Sequence, residues 1–197
     1  MKINLKALKS LVFFSSTENT RYYLNGVAVQ PTAKGLFLVA TDGHIMGVVR
    51  QHAESFEGIT SDVIIPHTLL DKIKLSRKDK TNLAEVSVSD GRVTIEYFGE
   101  SYSANVIDGI FPSWRSVFPT GKISGECAQF TPALITRIAK AKSLWSDEKD
   151  PSFTIAHNGG SVALADWFVP GYDCEGFGAI MPLRMEMMLD QVPSWIS

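Results

Sequence analysis

The tetrad Thr41-Asp42-Gly43-His44 sets a carboxylate two residues from an imidazole, a pairing used both in acid–base chemistry and in metal ligation. His52, His67 and His157 add further candidate groups. None of these falls in an HExxH pattern, no nucleophile elbow surrounds a serine, and no glycine-rich phosphate cradle is present. Cys127 and Cys174 lie far apart and outside CxxC spacing, so they offer neither a zinc site nor a disulfide framework. Asp-Gly is foremost a turn dipeptide, because both residues tolerate positive φ. The expectation is a protein without a catalytic step, a metal or a cofactor.

A second pattern is cationic. Ile3, Leu5, Leu8, Leu11 and Val12 recur at helical spacing, with Lys2, Lys6 and Lys9 mostly opposite them. A second helix carries Leu69, Leu70 and Ile73 on its apolar face, and Lys72, Lys74, Arg77 and Lys78 lie on or just past its end. A third opens at Thr131-Pro132, a cap followed by proline at the first helical position, and turns Leu134, Ile135, Ile138 and Leu144 inward with Arg137, Lys140 and Lys142 outward. Such faces serve equally as solvated surface or as contacts to phosphate. The whole chain has no electrostatic excess to decide between them: 19 Lys+Arg stand against 21 Asp+Glu, a formal charge of −2.

The elements that hold these residues alternate. After the first helix come strands at Tyr22–Val29, Leu36–Thr41 and Ile45–Val49, then a short strand Val63–Ile65 ending at Pro66 before the second helix. Glu85–Ser89, Arg92–Phe98 and Ser101–Ile107 form a second meander, with Asp90-Gly91 as one of its turns. Residues Asp108–Gly125, rich in Pro and Gly, read as an interdomain connection. A strand at Cys127–Phe130, the third helix, a hairpin of Phe153–Ala156 and Ser161–Trp167, and a last strand at Gly178–Pro182 make a third helix-plus-meander unit. With 197 residues, 45% of them apolar, the chain is long enough to bury a sizeable core. No apolar run reaches the ~18–20 residues that a membrane-spanning helix needs, and the amino terminus lacks a signal-peptide pattern, so a cytoplasmic protein is expected.

Four segments in order and spacing carry a family resemblance: Arg21-Tyr22-Tyr23-Leu24-Asn25-Gly26, Leu38-Val39-Ala40-Thr41-Asp42-Gly43-His44, Ile64-Ile65-Pro66, and Ile107-Asp108-Gly109-Ile110-Phe111-Pro112. Over about residues 1–120 the chain resembles the middle domain of the bacterial sliding clamp, the DNA polymerase III beta subunit family. Residues 121–197 are similar to half of the clamp's C-terminal domain, with Ala179-Ile180-Met181-Pro182-Leu183-Arg184 resembling its closing segment and Met185–Ser197 running on as an extension. A competing alignment pairs Ile180-Met181-Pro182 with Ile64-Ile65-Pro66.

The resemblance implies an α+β DNA-clamp fold with one full clamp domain and a half domain. It also implies a replication accessory protein, a processivity factor, that captures short linear motifs of DNA polymerase or other clamp-binding proteins. Carried over by position, the peptide pocket comprises Leu24, Thr41, Gly43, His44, Met46, Pro112, Val117, Met181, Pro182 and Leu183. Ile45 and Ser116 depart from the family's basic residues, which weakens the expected capture of acidic partners. Non-specific contact with double-stranded DNA falls to Lys2, Lys6, Lys9, Lys72, Lys74, Arg137, Lys140 and Lys142, and encirclement of DNA would need a homo-oligomer. The alternative is a clamp mimic that sequesters polymerase or clamp subunits without encircling DNA.

Overall fold

The computed structural model describes residues 1–52, 59, 61–76, 81–146, 148, 151–169 and 173–183. Helices lie against antiparallel sheets, an α+β architecture. The element order is β1 (Lys2–Asn4), α1 (Leu5–Val12), β2 (Gly26–Thr32), β3 (Gly35–Thr41), β4 (Ile45–Gln51), β5 (Val63–Pro66), α2 (His67–Lys72), β6 (Leu83–Ser89), β7 (Arg92–Tyr97), β8 (Glu100–Asn105), α3 (Pro132–Ser143), β9 (Thr154–Ala156), β10 (Ala163–Asp166) and β11 (Cys174–Ile180).

Residues 1–107 contain the same unit twice: a short strand, a helix and a three-stranded meander. Each short strand leaves its own unit and pairs with the first meander strand of the other. β1 joins β6 through Ile3↔Ala84, and β5 joins β2 through Val27↔Ile65. The exchange lays α1 beside α2 and closes one core, in which Ile3, Leu5, Leu8, Leu11, Leu70, Ile73, Val86 and Ile95 are inaccessible to solvent. Asn4 caps α1, its Oδ1 accepting the Ala7 amide at 3.1 Å. Gln51, at the end of β4, holds the entering strand by accepting the Asn4 amide at 2.9 Å and donating to the Lys2 carbonyl at 3.0 Å.

The third unit joins the first edge to edge. β11 pairs with β4 over seven rungs, from Cys174↔Gln51 to Ile180↔Ile45, giving a seven-stranded sheet in the order β5-β2-β3-β4-β11-β10-β9. Strand β11 is the third strand of a meander with β9 and β10. The sheet passes without interruption from residues before 120 to residues after it.

Several local expectations are corrected. Lys2–Asn4 is strand, because its backbone finds partners in β6 before the helix begins. Tyr22–Leu24 is a 3-10 turn, and β2 starts only at Gly26 but runs on to Thr32. Pro31 is tolerated there because β5 pairs only with Gly26–Val29, so the missing amide faces no ladder. Residues 127–130 make one bridge, Gln129↔Leu183, and no strand. Strand β11 begins at Cys174, hidden in the sequence by Gly176 and Gly178. A Cβ at either would lie within 3 Å of the Val48 or Met46 carbonyl of β4. Arg77, Lys78 and the extension Met185–Ser197 lie outside the described residues.

Candidate functional site

The seven-stranded sheet has two covered faces. One packs on the helices. The other carries a smaller apolar cluster that includes Leu24, Ala28, Val39, Met46, Val48, Phe111, Trp114 and Ala179. At its edge opens a groove of about 490 Å³, walled chiefly by four segments that are separate in sequence.

The first wall is the β3–β4 turn. Although it contains Asp-Gly, it is a longer loop, with Thr41 opposite Met46. Asp42 Oδ1 accepts the amides of His44 at 2.8 Å and Ile45 at 3.0 Å, and Thr41 Oγ1 accepts the Gly43 amide at 3.0 Å while donating to the Ile45 carbonyl at 2.8 Å. Gly43 sits at φ +94°, and a Cβ there would also meet Arg21 Nη1 at 2.6 Å. The second wall is the 3-10 turn with Tyr23 and Leu24. The third is the connection after β8, where Pro112, Ser113, Trp114 and Val117 face the groove. Trp114 pins that connection to the sheet. Its indole donates to Gln30 Oε1 at 2.8 Å, its ring lies 5.7 Å from Phe37 and 6.0 Å from Phe118, and the Arg115 guanidinium stacks over it at 4.2 Å.

Ala179, Ile180 and Met181 close the groove from β11, tied to the turn by the Met181 amide donating to the His44 carbonyl at 2.8 Å. Of the residues carried over from the resemblance, Leu24, Thr41, Gly43, His44, Met46, Pro112, Val117 and Met181 line the groove. Pro182 and Leu183 do not. Leu183 instead donates its amide to the Gln129 carbonyl, turned away by the bridge to the segment before α3.

The groove is also lined by Arg21, Tyr23, Ile45, Ser113, Trp114, Val162, Ala179 and Ile180; the motifs contain Arg21, Tyr23, Ala179 and Ile180 and mark Ile45 as a departure, whereas Ser113, Trp114 and Val162 were missed. Trp114 lies two residues past Pro112 of the fourth motif and was legible as a neighbour; Val162 and Ala179 reach the groove only through the β4–β11 pairing. Arg21, held by Glu18 in a 2.9 Å ion pair, restores a cation to the rim although Ile45 is apolar and buried. Val117 and Met181 remain about two-fifths exposed, presenting apolar surface to the opening.

The basic residues divide. Lys2, Lys72, Lys74 and Lys140 are exposed. Lys6 is half-buried with its ammonium 5.1 Å over the Trp145 ring, Lys142 is half-buried, and Lys9 donates to the Leu70 carbonyl at 2.8 Å. Burial pushes the Lys9 pKa down, partly offset by the charge of Asp71. Arg137, expected to face outward, is turned into the structure. Its guanidinium donates to the carbonyls of Phe13 at 2.6 Å and Ser15 at 2.8 Å and pairs with Asp42. Arg137 lies at the margin of the apolar stripe of α3, where a long side chain reaches the neighbouring unit.

Comparison with known proteins agrees with this architecture. A family model described as DNA polymerase III beta subunit, central domain, matches residues 2–113. The beta sliding clamp of Caulobacter vibrioides is 30% identical over 157 residues, covering 77% of this chain and 41% of that protein. The clamp of Synechocystis is 26% identical over 175 residues, covering 81% and 44%. The chain thus spans less than half the length of these relatives. Among solved structures, the Bacillus subtilis sliding clamp superposes with a TM-score of 0.66 at 17% identity, over 94% of this chain and 64% of that one. A Bartonella birtlesii clamp bound to griselimycin gives 0.62 at 19%, over 94% and 66%. The repeated strand–helix–meander units and the match over more than half of its residues place this chain in the bacterial DNA polymerase III beta subunit, or sliding clamp, family.

Proposed function

We propose that the chain is a replication accessory protein that holds linear peptides of polymerases and other clamp-binding proteins in the groove between the β3–β4 turn and β11, and encircles double-stranded DNA as an oligomer. The observation that carries this reading is the convergence of Leu24, Met46, Val117 and Met181, from four separate segments, on one apolar cleft. Such a cleft suits an extended peptide: buried apolar anchors contribute about 25 cal/mol per Å², and methionine adapts to varied side chains. Arg21 at the rim suits a carboxylate on the peptide. No step in this function breaks or forms a covalent bond.

The test is fluorescence anisotropy with a labelled peptide carrying two adjacent apolar anchors and an acidic residue. Binding is expected to weaken at least about tenfold in Val117→Asp, a change at an exposed position that leaves the core intact, and by less in Arg21→Ala. A Val117→Asp chain that binds as tightly as the parent overturns the peptide reading. Retention on circular but not linear DNA is expected for an encircling oligomer; binding of peptide without retention would favour a mimic that sequesters partners.

A further inference from the structure

In residues 1–107 each strand–helix–meander unit is completed by the other, whereas the unit containing α3 has no such complement among the described residues. Its equivalence to the first unit is specific. Just as Gln51 at the end of β4 holds Lys2 before α1, Leu183 beyond the end of β11 bridges Gln129 before α3. The segment before α3 therefore stands where β1 stands, yet finds no counterpart of β6. Likewise β9 ends the seven-stranded sheet, with β10 its one neighbour, in the position that β2 fills beside β5.

The apolar surface agrees. Leu5, Leu8 and Leu11 of α1, which lies between its own sheet and α2, are wholly buried, while Phe130, Leu134, Ile135, Phe153 and Ile155 of the third unit are only partly buried. We propose that this face is completed by the same face of a second copy of the chain, the two third units pairing about a two-fold axis as the first and second units pair within one chain. Each copy would add its segment 127–130 to the partner's β9, extending both sheets, and lay α3 antiparallel to its mate.

A charge argument favours a second copy over an unrelated partner. Lys9 is the fifth residue after the cap of α1, Asn4, and reaches across to the Leu70 carbonyl of α2; Asp71, whose charge acts on it, is the fifth residue after the cap of α2, Pro66. The fifth positions thus lie close together where α1 packs on α2. In an identical pair this position must meet itself, where a charge would repel its own copy. The corresponding residue of α3 is the uncharged, exposed Thr136.

This inference supplies a contact for the oligomer of the proposed function and rests on that part of it alone. The test combines sedimentation equilibrium of the full chain with cross-linking. The parent is expected to sediment as a dimer or a multiple of one, Thr136→Asp to weaken self-association at least about tenfold with an unchanged circular dichroism spectrum, and a short bis-maleimide to couple Thr136→Cys to itself in a Cys127→Ser background. Lys34→Cys, on the distant β2–β3 turn, should not couple. A monomer throughout the micromolar range, or an oligomer indifferent to Thr136→Asp in which Thr136→Cys fails to couple, overturns the proposal. Should Thr136→Asp not fold, the cross-link decides. Peptide anisotropy on the same samples separates failure of this contact from failure of the groove.

Discussion

Arg137 and Asp42 show how a surface-looking residue comes to govern a binding site. Asp42 spends one carboxylate oxygen on the amides that shape the groove turn and the other on Arg137, whose guanidinium also satisfies two carbonyls after α1. The pair is largely screened from water, with side-chain exposures of 27% and 14%. Arg137→Ala would leave a carboxylate and two carbonyls short of donors, and should cost about 2–4 kcal/mol in urea unfolding. Arg137→Lys should recover only part, since an ammonium cannot span the three acceptors of a planar fork. The sequence marked Arg137 as cationic and Asp42 as a turn residue; their meeting, 95 positions apart, has no local signature. The cysteines allow a second check. Cys127 is exposed, whereas burial, with the nearby Asp173 charge, pushes the Cys174 thiol up to about 12. Cys127 should react quickly with a thiol reagent and Cys174 only on unfolding. Because the folded value exceeds the ordinary 9.0, the contribution of Cys174 is complete below pH 9 and is lost as pH rises toward 12. Cys174→Ala should flatten the alkaline fall in stability measured across that window.

At the scale of elements, one dipeptide gives two turns. Asp90-Gly91 makes the tight two-residue hairpin, with φ of 51° and 70° and Ser89 opposite Arg92. Asp42-Gly43 instead opens into a loop because Thr41 and Asp42 use their side chains to bind its amides. Local spacing announces a turn in both; the side-chain bonds that distinguish them appear only once the chain is folded. The connection Asp108–Gly125 is a sharper case. Its Pro/Gly content was legible as a break between units, but Trp114 makes part of it a groove wall by stacking on Phe37 and Phe118. Trp114→Ala should cost about 3–5 kcal/mol by removing a buried aromatic, and should weaken peptide binding as the wall loosens. Trp114→Phe should keep much of the stacking and cost about 1–2 kcal/mol, chiefly by leaving Gln30 Oε1 without its donor. Chemical denaturation alongside anisotropy on both variants checks the two effects separately.

For the whole molecule, the order of units was legible because each repeats a helical period followed by strand alternation. The way they join was not, because the joining strand is built from residues that read poorly as strand. Gly176 and Gly178 lie across from Val49 and Gly47, and their missing side chains let Phe168 and Trp167 cross β11 at 3 Å from where a Cβ would stand. That close approach merges the first and third units into one sheet, and the groove exists only at their seam, where the Met181 amide meets the His44 carbonyl. Two consequences follow from the same contact. The amides of β4 and β11 should exchange hydrogen with one common opening free energy, since neither strand can leave without exposing the ladder of the other. Gly178→Val should break this coupling, because its Cβ would fall 2.9 Å from the Met46 carbonyl and 3.0 Å from the Trp167 ring. In that variant β11 should exchange faster than β4 and peptide binding should be lost, while β6–β8, which share no strand with the seam, keep their protection. Retained binding together with fast exchange in β11 would mean that the groove does not depend on the joint between the units.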